Sequence, residues 1–181
     1  FNTAIVKFHD SESIRTMSSE PVSPRAAMPF NDPMLSKQWH YINDGKNAGS
    51  NTAVVGGDIA VRDAWRLTGG DSRIIVAVLD SPVKYDHPDL AANMWKNEKE
   101  VPGNGKDDDN NGYVDDVYGW NCERENGNIS WEGARASGHG THVAGTMVAT
   151  WNKEGLSGLM GNKFNLYYSA AYHTRNDSVT N

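Results

Sequence analysis

Cysteine is nearly absent. Cys122 stands alone among 181 residues, so no disulfide can close within the chain and a thiolate zinc site has no second sulfur. The same scarcity removes the usual clue to redox compartment. No apolar run approaches the ~18 residues that a membrane-spanning helix needs. Positive charge is not in excess either: 17 Lys and Arg face 23 Asp and Glu, a net charge of −6. That balance argues against nucleic acid as the main partner. There is no Gly-x-Ser-x-Gly segment and no internal repeat. The chain opens on Phe1 with no signal-peptide pattern, as expected of a processed chain or one that begins inside a longer one.

What is present suffices for one domain. Hydrophobic residues make up 38% and charged residues 22%, a composition that folds around a core. Residues 1–30 are peripheral in character: "SSEPVSPRAAMP" is rich in Ser, Pro and Ala and reads as a linker. "DIAVRDAWRLTGG" (58–70) predicts a helix N-capped by Asp58, with Ile59, Trp65 and Leu67 apolar and Gly69 and Gly70 as its stop. "RIIVAVLD" (73–80) is a continuous β-branched run and predicts a strand buried on both faces of a parallel sheet. "HPDLAANMW" predicts a turn and a short helix, and 97–138 a long functional loop. A helix is expected from His139 to about Trp151, and a second inner strand at "FNLYYSAAY". Strand, excursion, helix and strand together give an α/β fold class.

Two residues carry candidate chemistry. Asp80 ends the apolar strand, where ligand and catalytic groups of open α/β sheets gather; read alone, it is equally a turn or cap aspartate. His139 opens a helix, where the positive end of the dipole disfavours an imidazolium unless a carboxylate counters it. An Asp–His pair is what activating a hydroxyl requires, although a lone histidine is as readily structural.

The two segments together resemble the subtilisin-like serine peptidases (subtilases). "VAVLDSPVKYDHPDL" is similar to the family's aspartate motif, and "HGTHVAG" (139–145) matches its histidine motif. Asp80 precedes His139 by 59 residues, the family's order. "FNDPMLSKQWHY" is similar to a mature subtilase start, and "DIAVRDAW" to the helix before the first inner strand. The likeness runs from about residue 30 to 172; the long insert and "NMWKNE" resemble subtilases of Bacteroides-type bacteria. It implies a subtilisin-like three-layer fold with a parallel central sheet. Residues 1–30 would then be a propeptide remnant or linker and 31–181 the N-terminal part of the catalytic domain. By resemblance His139 is the general base, Asp80 orients it, and His142 packs and bonds behind the site. Gly140, Ala144 and Gly145 would let the helix approach the sheet. A His-x-x-His zinc site is the competing reading, but the Glu of His-Glu-x-x-His is absent.

The chain departs from the family at Pro82, where Gly is usual. Proline supplies no N–H and forbids positive φ, which puts the orientation of Asp80 in question. The family's Gly-Thr-Ser-Met-Ala nucleophile segment does not occur; Ser137 and Ser157 read as loop serines. The expectation is an N-terminal part of a serine endopeptidase that is inactive by itself. The alternative is a catalytically dead calcium-binding or interaction protein derived from a subtilase. The resemblance further implies polypeptide substrates and a secreted or cell-envelope location.

Five aspartates lie in "DDDNNGYVDD" (107–116) and account for all but one unit of the −6 excess. Asp107, Asp109 and Asn111 alternate before Gly112, followed by the Tyr113 carbonyl and the Asp115 carboxylate. This is the first part of an EF-hand-like calcium loop, although its last ligand position falls on Tyr118 rather than Glu. Structural Ca2+ is the expected cofactor, and a solvated acidic loop is the alternative. Asp32 and Asp89 resemble aspartates that hold another calcium in some family members.

Overall fold

The structure is a computed structural model that describes residues 31–46, 52–130 and 138–161, and the backbone of 165–170. The predicted linker at 1–30 and Ser137 lie outside the described residues. The described elements are helix α1 (Val61–Leu67), strand β1 (Ile75–Val78), strand β2 (Gly119–Asn121), helix α2 (His139–Val148) and strand β3 (Asn165–Ala170). Short 3-10 turns occupy Leu35–Lys37 and Ala91–Asn93. The sheet order is β1-β3-β2. Both pairings are parallel, with Val78 and Gly119 each in register with Tyr168. This is the predicted α/β arrangement, with α2 in the crossover between β1 and β3.

The inner strand of this sheet is β3, and β1 lies beside it. Only Val78 of β1 is buried; Ile75 is 54% exposed, and Ile74 and Leu79 are also open. The expectation of two covered faces is therefore corrected: among the described residues, cover reaches β1 from the α2 side. β2 was not foreseen. Three residues in a Gly/Asn/Asp-rich region carry no readable alternation, and their pairing with β3 alone makes them a strand.

α2 buries Gly140, Ala144 and Val148, a stripe at four-residue spacing. Ala144 and Val148 of that stripe join Val78, Val83, Leu90, Met94 and Ile129 in the main core. A second cluster of Tyr41, Val61 and Trp65 packs with Trp151 and Leu159. Here the Trp65 indole N–H donates to the Leu159 carbonyl at 2.7 Å, and the Tyr41 hydroxyl to the Thr146 carbonyl at 2.5 Å. Burial pushes the Tyr41 phenol up to about 12.

α1 differs from prediction at its start. Its N-cap is Ala60 in the left-handed region, φ 55°. Asp58 instead accepts from the amides of Asn43 and Ala60 at 2.8 Å each, tying the chain ahead of the helix. The rotation buries Val61 and Trp65 and leaves Ile59 and Leu67 exposed. The stop is as expected: Gly69 lies against the Trp151 ring, where a Cβ would collide, and Gly70 has φ 115°.

Candidate active site

Asp80 stands two residues past the end of β1 and is buried, its side chain 6% exposed. His139 is the first residue of α2, and its side chain is 54% exposed. Residues 59 apart in sequence meet here: His139 Nδ1 lies 2.6 Å from Asp80 Oδ1. An ionised carboxylate only accepts, so Nδ1–H is the donor. In the tautomer that this contact selects, the basic lone pair is on Nε2.

The same Asp80 oxygen accepts the Ser81 amide at 2.6 Å. The loss of an N–H at Pro82 therefore leaves Asp80 with a backbone donor. Pro82 is buried, and Val83 N–H donates to the Ile129 carbonyl at 3.2 Å, bracing the turn against the loop ahead of α2. Gly140 lies against this turn, and a Cβ there would overlap the Ser81 and Pro82 carbonyl oxygens. The expected close approach thus rests on Gly140. Gly145 meets no described atom in that way, so its predicted packing role is not seen.

His142 is exposed rather than packed behind the pair. Its charge is felt by His40, whose imidazole is held below 6.5 by burial first and by His142 second. The His40 Nε2 is buried with no hydrogen-bond partner among the described residues. Ser157 is wholly buried and donates its hydroxyl to Asp32 Oδ2 at 2.8 Å, a structural role.

In the acidic loop, Asp107 and Asp109 of the expected set meet a residue from outside the run. Oxygens of Glu100, Asp107 and Asp109 lie within 4.8 Å of one another. Glu100 is buried and accepts the amides of Asp108, Asp109 and Asp115. Asp107 accepts from Asn111 and Gly112, and Asn111 Oδ1 from the Tyr113 amide. Asp115 turns elsewhere, its two oxygens on the amides of Asn104 and Gly105. Asn97 bridges Asp109 to the buried Asp116 at 3.1 and 2.9 Å. Among the described residues no Lys or Arg ion pair reaches Glu100, Asp107 or Asp109. Glu100 was missed because it sits seven positions ahead of Asp107, outside the alternating run.

Asp32 and Asp89 are both buried and converge on the 152–157 turn. Asp32 Oδ1 accepts the amides of Asn152 and Lys153 at 3.1 and 2.7 Å. Asp89 accepts from the Leu156 amide at 3.2 Å and the Asn152 side chain at 3.4 Å.

A family model described as "Subtilase family" matches residues 71–177. The chain is similar to Subtilisin-like protease 1 of Plasmodium falciparum (isolate 3D7), at 46% identity over 78 residues, covering 42% of this chain and 11% of the relative. It is similar to Endoprotease bli-4 of Caenorhabditis elegans, at 37% over 117 residues, covering 61% of this chain and 11% of the relative. The chain thus spans about a tenth of the length of these relatives. In structure it is similar to the Aeromonas sobria serine protease, solved with its chaperone: TM-score 0.59, 23% identity, covering 84% of this chain and 22% of that one. That likeness is one of fold.

Proposed function

The chain belongs to the subtilase family, and on that premise we propose that it carries the aspartate and histidine of a serine endopeptidase acting on polypeptides. The observation that carries this is the 2.6 Å contact between buried Asp80 and half-exposed His139. Nε2 takes the proton of an attacking serine, and the imidazolium then returns it to the leaving amine. Asp80 holds the ring in the Nδ1–H tautomer and stabilises the imidazolium charge. The reaction also requires a serine nucleophile and oxyanion donors, and these 181 residues hold no Gly-Thr-Ser-Met-Ala segment. By themselves the residues would not hydrolyse peptides, because the nucleophile and the oxyanion donors supply most of the rate enhancement. By the same family reading, the site of action is secreted or on the cell envelope.

In the intact protein, His139→Ala is expected to abolish peptide hydrolysis. Removing the base from such a unit costs on the order of 10⁶ in kcat. Retained turnover would reject the assignment. A protein that binds calcium yet hydrolyses nothing in its wild-type form would favour the catalytically dead alternative.

We further propose that the acidic loop holds a structural Ca2+ through Glu100, Asp107 and Asp109, with Asn111 near them. The donor set fits: it is all oxygen, carries three carboxylates and has no basic counter-residue among the described residues, which suits a hard cation. The ion would supply charge neutralisation to the loop. By the family reading alone, Asp32 and Asp89 would take part in another calcium site. Asp115, directed to other amides, is not in the proposed set, and Tyr113 contributes through its backbone at most.

A further inference from the structure

α2 begins without a cap of its own. Its N-cap residue is Gly138, which has no side chain to offer the amides of the first turn. One of those amides, Gly140 N–H, is satisfied from another element: it donates to Ser81 Oγ at 2.9 Å, in a buried contact between residues 59 apart. The same serine gives its own amide to Asp80 Oδ1 at 2.6 Å. Ser81 thus holds the carboxylate with one group and, with the other, the residue that directly follows His139. The Oδ1 atom it orients is the one that receives His139 Nδ1–H. A second tie closes the same seam, Lys84 N–H donating to Thr141 Oγ1 at 3.0 Å. Pro82 has no N–H to offer Asp80, whereas the Ser81 amide donates to it.

We propose that Ser81 is a positioning residue for the Asp80–His139 pair, acting as an N-cap delivered to α2 from the end of β1. This rests on the peptidase reading above and adds a residue to it. The hydroxyl sets the distance between strand end and helix start, and hence whether the imidazole meets Asp80 in line. A displacement of about 1 Å in such a constellation costs roughly 100-fold in rate.

The test is made in the intact protein with Ser81→Ala, Ser81→Cys and Ser81→Thr. Ala removes the acceptor; Cys keeps the size but offers a weak one; Thr keeps the hydroxyl. Ala and Cys are expected to lower kcat by about 10- to 100-fold with KM nearly unchanged, and Thr to recover most of the loss. The low-field proton resonance of His139 Nδ1–H should broaden in Ala and Cys and persist in Thr. If Ala does not fold, Cys against Thr carries the comparison. Wild-type kcat and resonance in Cys or Ala would overturn the proposal. So would loss of kcat in all three variants in proportion to their loss of melting temperature. The peptidase reading fails separately, by activity surviving His139→Ala, and the resonance still reports on Ser81 in that case.

Discussion

At the scale of single residues, an atom that is not present matters as much as those that are. Gly140 lacks the Cβ that would overlap the Ser81 and Pro82 carbonyls. Gly140→Ala must push α2 from the turn and His139 from Asp80. It is expected to cost about 1–3 kcal/mol of stability and at least ~10-fold in kcat, read by urea unfolding and steady-state kinetics. A variant with wild-type values in both would show that the seam has slack. His40 shows the opposite case, a polar atom present without a partner among the described residues. Its imidazolium is disfavoured in the fold, first by burial and then by the His142 charge. The unfolded chain therefore binds the extra proton more readily, and the stability at stake is complete above about pH 6.5. It is lost as pH falls through the lower folded value. His40→Phe should lose less melting temperature between pH 7.5 and 5 than the wild type; an identical slope would discard His40 as a source.

At the scale of elements, the 97–121 loop is organised by a residue outside its acidic run. Buried Glu100 gathers three backbone amides and brings its carboxylate to Asp107 and Asp109. Like charges this close oppose folding unless a cation intervenes. A chelator is therefore expected to lower the melting temperature, since an ion at a hundredfold excess over its Kd adds about 2.7 kcal/mol. Glu100→Gln should remove most of that response. A calcium-dependent shift intact in Glu100→Gln would move the ion away from this loop, and no shift at all in the wild type would leave a solvated acidic patch. Asn97 extends the same network to Asp116, just ahead of β2. Ordering the loop thus bears on the strand that pairs with β3.

At the scale of the whole molecule, the N-terminal arm clamps the far end of α2. Asp32, Gln38 and Tyr41 reach residues more than 100 positions away: Asn152, Lys153 and Ser157 for the first, Ser157 for the second, Thr146 for the third. Asp32→Ala would leave two amides and a buried hydroxyl without their acceptor. The expected cost is about 2–3 kcal/mol, measured by urea unfolding; a change below about 0.5 kcal/mol would mean that water replaces the carboxylate. The arm and the Ser81 seam hold opposite ends of one helix, so loosening the arm should lower stability more than kcat.

Much of this was legible in the residues themselves. The apolar run before Asp80, the small-residue stripe behind His139 and the Gly stops are local patterns, and local backbone preference and motif chemistry are enough to read them. Family, α/β class and the identity of the Asp–His pair follow from them. What local pattern could not decide is every contact made across the fold. That His142 is exposed, that Glu100 joins Asp107 and Asp109, and that Ile59 and Leu67 stay exposed depend on how elements rotate when they pack. Ser81 serves both partners for the same reason: its two hydrogen bonds join a strand end to a helix start 59 residues on. Hydrogen-bond directions across such a seam are set by close packing of surfaces, and no periodicity along the chain encodes them.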